Sequence, residues 1–311
     1  MDFELSEDQQ QILKSVKDLL GQHAGPTRNI ELQPNAAYDT ELHDALEENG
    51  YTEIARMDEM GPLEAALIAE EVAYAAGVVA FAESALVATG VSDEEIEGPI
   101  SLATVADSGK PIRYACTAKT LLILDGDEAR VLSLKDGDIE KVESNFGYPM
   151  GRYKGELKGA GKSLGAGSGD KLRNWWRVAL AVETVGCMRA ALWHVVGYLS
   201  ERRQFGVAIG SFQAVQHKLA DNAVTIHGAR WLALEAAFKG AQKDQAAVAA
   251  AFALETAGTA FTDFHQLAGA IGFTREHNLH VWTMRLMALR VELGGVHSHR
   301  RAIAEARWEV Q

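Results

Sequence analysis

Arg202-Arg203-Gln204-Phe205-Gly206 runs on through residues 207–211 to Phe212-Gln213 and an apolar helical pattern over 214–222. The stretch closes one long helical pattern and opens another. It sets a guanidinium, two amides and an aromatic ring around a glycine-bounded turn. Arginine offers a planar, always-charged fork that matches phosphate. Glutamine amides can satisfy ribose and adenine groups. Together they read as a grip on a phosphate-bearing cofactor. Upstream, from Asp170, the residues Leu180, Val182, Val185, Met188, Leu192, Val195 and Leu199 form a wide apolar stripe at helical spacing. Downstream, 215–234 and 237–257 continue as alanine-rich helices, 264–273 ends in glycine-rich backbone, and 279–293 is helical again. Small residues at this density let helices pack closely, as in a bundle.

The pattern differs before residue 170. Residues 114–117, 120–124, 129–134 and 153–157 read as strands. Asp107-Ser108-Gly109, Asp125-Gly126-Asp127 and Asp136-Gly137-Asp138 read as turns between them. This predicts a small antiparallel β unit of about sixty residues. Residues 159–169 hold five glycines and two serines and read as a flexible linker. Before that, Ser6-Glu7-Asp8-Gln9 forms a capping box ahead of Ile12, Leu13, Val16, Leu19 and Leu20. Pro26 and Pro34 mark a loop, Asp39 opens a second helix, and Gly61-Pro62 precedes a third over 63–76. The expected fold is mainly α with a small β domain. Residues 1–98 form a helical domain, 99–169 a reduced β domain with the linker, and 170–311 a helical bundle.

Of the 311 residues, 47% are hydrophobic and 23% charged, an ordinary globular balance. Residues 1–98 carry 22 acidic and 4 basic side chains, a balance of −18 against +5 for the rest. An acidic front argues against nucleic acid, whose phosphates need a basic face. Cys116 and Cys187 form no metal spacing and no disulfide framework, so a reducing cytoplasm is expected. No uninterrupted apolar run reaches a membrane span's length of about 18 residues, so no membrane is expected. The pairs His277/His280 and His297/His299 lack a carboxylate–histidine signature and are expected at a surface or interface, with no metal.

The motifs resemble the acyl-CoA dehydrogenases. Arg202-x-Gln204-Phe205-Gly206, Phe212-Gln213 and Leu219-Ala220-Asp221 are similar to that family's R-x-x-F-G, F-Q and L-A-D. Gln266-Leu267-Ala268-Gly269-Ala270-Ile271-Gly272-Phe273-Thr274-Arg275-Glu276 is similar to its Q-x-x-G-G-x-G-x-T-x-E, and Phe3-x-Leu-Ser-Glu-Asp-Gln-Gln to a common family opening. The resemblance implies FAD bound across a subunit interface. Arg202, Gln204 and Phe205 match the pyrophosphate and adenosine contacts. Gln213 matches a further FAD contact, and Gln266 and Gly269 the cofactor-binding loop.

The resemblance also shows departures. A carboxylate base is needed because the α-proton is barely acidic until the thioester is polarised. Where most members carry an aromatic-Glu-Gly-Thr motif, this chain reads Leu293-Gly294-Gly295-Val296, so Gly294 takes the Glu position. A second branch places the base on the preceding helix, where Trp176 stands here. Glu292 lies two positions off, roughly 200° around a helix, and is expected to face elsewhere. Glu183 is expected to be a polar residue held within the bundle, and Trp175-Trp176 core, interface or pocket filling. The family's segments lining the flavin ring are missing from the β unit. The chain thus resembles the short subunit of heteromeric α2β2 acyl-CoA dehydrogenases from steroid-degrading actinobacteria. That implies a related chain carrying the catalytic Glu, an acyl-CoA substrate derived from a sterol, and an electron-transfer flavoprotein as acceptor. The alternatives are an autonomous dehydrogenase using Glu183 or Glu292, and a helical scaffold without chemistry.

Overall fold

The computed structural model describes residues 4–35 and 37–308. Phe3 of the opening motif lies outside them. Ser6 caps α1 (Glu7–His23) with both bonds of the capping box in place. The loop expected between the two prolines contains a helix, α2 (Pro26–Leu32). Pro26 occupies its first position, where a missing N–H costs no hydrogen bond. Asp39 caps α3 (Thr40–Glu48), and α4 (Pro62–Tyr74) follows. From Ala65 to Ala73 every residue of α4 is buried, and a helix without a polar face belongs inside. A π-helical segment, Glu83–Ala88, runs into α5 (Thr89–Val91).

The β domain has seven strands: β1 (Ile100–Thr104), β2 (Ile112–Arg113), β3 (Thr120–Asp125), β4 (Glu128–Ser133), β5 (Ile139–Val142), β6 (Met150–Tyr153) and β7 (Lys162–Ala166). They form two sheets, ordered β1-β3-β4-β7 and β2-β6-β5. The hairpin expected around Asp125-Gly126-Asp127 is β3–β4. Four expectations need correction. Residues 114–117 form a turn, with Tyr114 at φ +63° and the Thr117 hydroxyl donating back to its carbonyl. Of 153–157, only Tyr153 is in a strand. The unit is not wholly antiparallel either, because β1, hidden in the short run after Pro99, pairs parallel with β3. The glycine-rich stretch is no free linker: β7 within it pairs with β4. Along β3 the side chains alternate, as the twofold period requires. Leu121 and Ile123 face the core between the sheets, while Leu122 and Leu124 face the helices.

The C-terminal bundle is built on α6 (Ser168–Glu201), whose most apolar window is 83% buried. That apolarity serves the core. A hairpin of β8 (Arg203–Gln204) and β9 (Val207–Ala208) leads into α7 (Gln213–Phe238). The alanine-rich pattern breaks at Gly240, φ +73°, and resumes as α8 (Lys243–Ala268). Then come a 3-10 turn over Gly269–Phe273, α9 (Leu279–Leu289), a second 3-10 turn over Glu292–Gly294, and α10 (Gly295–Arg307). Fully buried Ala246, Ala249, Ala250, Ala253 and Ala257 allow α8 to lie close against its neighbours α6, α7 and α10.

Candidate functional site

Two clusters of side chains stand out, one at an end of the bundle and one at the seam of the domains. At the bundle end, Arg202 follows the last turn of α6, and Tyr198, one turn earlier, lies edge-on to His277 at 5.0 Å. This ties the Arg202 end of α6 to the segment after Gly269. Helices α7 and α8 run antiparallel, so Gln213 at the start of one lies at the same end as Gln266 at the finish of the other. One turn in from that end, Asp263 accepts from Asn222 Nδ2 at 2.9 Å and pairs with Lys218. All six sequence-derived residues therefore converge on one end of the bundle.

The chemistry of that end fits an anionic cofactor. Arg202, Gln204, Gln213, Gln266 and Gly269 are exposed. Among the described residues nothing pairs with the Arg202 guanidinium or with the side-chain amides of Gln213 and Gln266. Phe205 sits at φ +54°, 91% exposed, its ring edge-on to Phe212 at 6.3 Å. Gly269 at φ +69° has open space where a Cβ would stand, so a ligand can approach its backbone closely. A free guanidinium, free amides and an exposed ring on one surface suit a phosphate and a nucleoside.

The seam is the opposite. Arg113, last in β2, is 7% exposed and ringed by three carboxylates. Its Nη2 lies 2.9 Å from Glu83 Oε1, its Nη1 2.7 Å from Glu183 Oε1, and its Nε 2.8 Å from Glu292 Oε1. Glu183 Oε2 takes a second bond from Nη2 at 3.0 Å. Glu292 Oε2 accepts from Trp176 Nε1 at 2.8 Å. The Tyr148 ring lies between the guanidinium carbons of Arg113, at 5.0 Å, and Arg285, at 4.7 Å. Arg285 in turn donates to the carbonyls of Ala76, Gly77 and Gly147. The cluster joins all three parts of the chain. The cavity beside it measures about 10 Å³, room for one water, whereas small-molecule sites occupy roughly 300–1,000 Å³.

Glu292 does not face away. Leu293 adopts φ +50°, and Gly294 and Gly295 follow at +81° and +70°. Three left-handed residues in succession break the helical period, so the 100° rule fails here and the Glu292 carboxylate turns inward. Trp176, one of the two expected base positions, thus bonds into the ion cluster, whereas a Cβ on Gly294, the other, would meet Ser298. Burial pushes the Glu83 carboxyl up to about 8 against the pull of Arg113, and its Oε2 has no partner among the described residues. Burial raises Glu292 too. Three carboxylates outnumber the nearby guanidiniums, and a proton held on Glu83 balances them.

Arg113, Glu83, Tyr148 and Arg285 were not picked out from sequence. One signal was available: Glu83 and Glu183 interrupt apolar runs, and a carboxylate in such a run needs a buried cation. Two histidines are also placed differently from expectation. His277 and His299 are buried rather than at a surface, and both rings lack hydrogen-bond partners among the described residues. Burial lowers both, His299 to about 4. Among the described residues, no group of three or more His, Cys, Asp or Glu could hold a metal ion.

Residues 171–307 match the family model for the acyl-CoA dehydrogenase C-terminal domain. The chain is 26% identical over 302 residues to acyl-CoA dehydrogenase IpdE2 of Mycolicibacterium smegmatis, covering 90% of this chain and 93% of that one. It is 34% identical over 158 residues to acyl-CoA dehydrogenase FadE34 of Mycobacterium tuberculosis, a match covering 49% of this chain but only 22% of that one. Its fold is that of a chain in the ChsE4–ChsE5 complex from Mycobacterium tuberculosis, with TM-score 0.81, 20% identity and complete coverage of both chains. It is also that of a chain in the Tcur3481–Tcur3483 steroid acyl-CoA dehydrogenase variant, with TM-score 0.78, 21% identity and coverage of 96% and 97%. Residues 171–307 therefore form an acyl-CoA dehydrogenase C-terminal domain.

Proposed function

We propose that this chain is a subunit of a heteromeric, FAD-dependent acyl-CoA dehydrogenase, and that it grips the ADP side of a flavin whose ring lies in a related chain. The cofactor is FAD, which accepts hydride when bound. Arg202 pairs with its pyrophosphate, Gln204, Phe205 and Gln213 contact the adenosine side, and Gln266 and Gly269 hold the loop against it. The related chain supplies the carboxylate that takes the α-proton during α,β-desaturation of a CoA thioester.

One observation carries this reading: Glu183 and Glu292, the carboxylates nearest in sequence to the expected base positions Trp176 and Gly294, are both engaged by Arg113. Both Glu183 oxygens bond Arg113, and both Glu292 oxygens are taken by Arg113 and Trp176. With these oxygens engaged and only about 10 Å³ of open volume beside them, neither carboxylate is placed to reach a substrate's α-proton. This weighs against Glu183 or Glu292 serving an autonomous enzyme. The unpaired grip at the other end weighs against a bare scaffold, which has no physical need of it. An α2β2 assembly is supported by the two-chain complex among the structural neighbours, and a sterol-derived thioester by the steroid enzyme. Electron-transfer flavoprotein is the acceptor in this reading.

Turnover tests it. The lone chain should not desaturate a CoA thioester, whereas the complex with its related chain should, with or without Glu292→Gln in this subunit. Turnover by the lone chain, abolished by Glu292→Gln or Glu183→Gln, would overturn it.

A further inference from the structure

His265 is the residue before Gln266, on the last turn of α8, and 6% exposed. Its ring lies between Phe261 at 4.4 Å and Phe273 at 4.8 Å. Its Nε2 is 3.0 Å from Thr283 Oγ1 on α9, and that hydroxyl donates to the Leu279 carbonyl at 3.0 Å. The Thr283 hydroxyl is within reach of both groups, so Nε2 either donates to its oxygen or accepts its hydrogen, and the bond to α9 stands in both tautomers. The neutral ring therefore fastens the end of α8 to α9 on one side and carries Phe273 on the other.

Phe273 is the last residue of the turn that begins at Gly269. It is 72% exposed, and its tilted contact with His265 holds that end of the turn together with the bonds from Thr274 N and Oγ1 to the Ile271 carbonyl. At the other end the turn folds tightly onto α8: a Cβ on Gly272 would stand 2.8 Å from the Ala268 methyl. The backbone of Gly269 thus hangs on the segment between Ala268 and Phe273.

We infer that His265 is a positioning residue for the cofactor grip: a hydrogen-bonded imidazole post that holds the Gly269–Phe273 turn in the shape that presents the Gly269 backbone to FAD. The inference rests on the proposed function. His265 does not touch the cofactor. It acts through Phe273 and through its bond to Thr283.

The test has two arms. In the lone chain, His265→Leu keeps an apolar plug but removes the bond to Thr283. Amide hydrogen exchange over 269–273 should accelerate about tenfold, the scale of one hydrogen bond, while amides in the middle of α6 and α8 keep their rates. His265→Gln, whose side-chain amide can again bond Thr283, should return exchange to within about threefold of wild type. In the complex with the related chain, His265→Leu and Thr283→Val should each weaken FAD binding about tenfold, and the double variant no further, because they break one bond. Wild-type exchange and FAD affinity in both single variants, with Arg202→Ala still losing FAD, would overturn the inference and leave the grip standing. Retention of FAD by Arg202→Ala would overturn the grip itself. Should His265→Leu fail to assemble, Thr283→Val decides alone, and full FAD affinity there refutes the role.

Discussion

The seam around Arg113 and the bundle end around Arg202 each centre on an arginine, and they treat it in opposite ways. Arg113 is buried and saturated, with every nitrogen bonded to a carboxylate. Arg202 is exposed and, among the described residues, unpaired. A buried charge must be neutralised within the fold, since desolvation would otherwise destabilise it by several kcal/mol. An exposed charge can wait for a ligand at little cost. Charge at the seam is therefore answered within this chain, and charge at the bundle end is available to something outside it.

The largest expected effect lies at the seam. Arg113→Leu leaves the Glu183 and Glu292 carboxylates without their direct partner and should lower stability by about 3–5 kcal/mol, read from urea unfolding. An unchanged unfolding midpoint would show that the cluster is not the closed unit described here. At the bundle end the same kind of change should do the reverse. Arg202→Ala should leave the lone chain's stability within about 0.5 kcal/mol. In the complex it should weaken FAD binding by roughly 10- to 100-fold, the range of a charge-assisted hydrogen bond. A loss of stability without a loss of flavin would invert the comparison.

The dependence on pH sharpens it further. The fold raises Glu83 to about 8, so between the ordinary carboxyl range and that value the folded chain holds a proton that the unfolded chain has released. Stability is then greatest below the unfolded value and falls as pH rises towards about 8. Burial lowers His194 and His299 to about 4 and lowers His265 and His277 as well. For these the unfolded chain binds the extra proton, so stability falls as pH drops from about 6.5 towards 4. An optimum near neutral pH should result. Glu83→Gln should flatten the descent between pH 6.5 and 8 and steepen the rise between about 4.5 and 6.5, which the Glu83 proton otherwise opposes. A descent of full slope in that variant would place the proton elsewhere. The smallest effect is expected at Gln213: Gln213→Ala removes one neutral hydrogen-bonding group and should weaken FAD in the complex by about two- to tenfold. No change would remove Gln213 from the grip.

The bundle end was far more legible in the sequence than the seam. Periodicity marked α6, α7 and α8, and the spaced residues Arg202, Gln213 and Gln266 follow helix ends that the pattern already located. The seam is built from Glu83, Arg113, Glu183 and Glu292, one residue from each of four distant segments, and no spacing connects them. Glu292 was misdirected for a definite reason: helical arithmetic does not hold through left-handed Leu293, Gly294 and Gly295. Pro26 and the glycines of 159–169 were read as breakers, yet Pro26 starts a helix and Lys162–Ala166 becomes an edge strand. Tertiary pairing with β4 outweighed composition there.

Flavin absorbance per chain tests the central claim most directly, measured on the purified lone chain and on the complex with its related chain. The account predicts almost no flavin on the lone chain, and a yellow complex carrying fewer flavins than chains. A fully flavinated lone chain, one FAD for every copy, would contradict it.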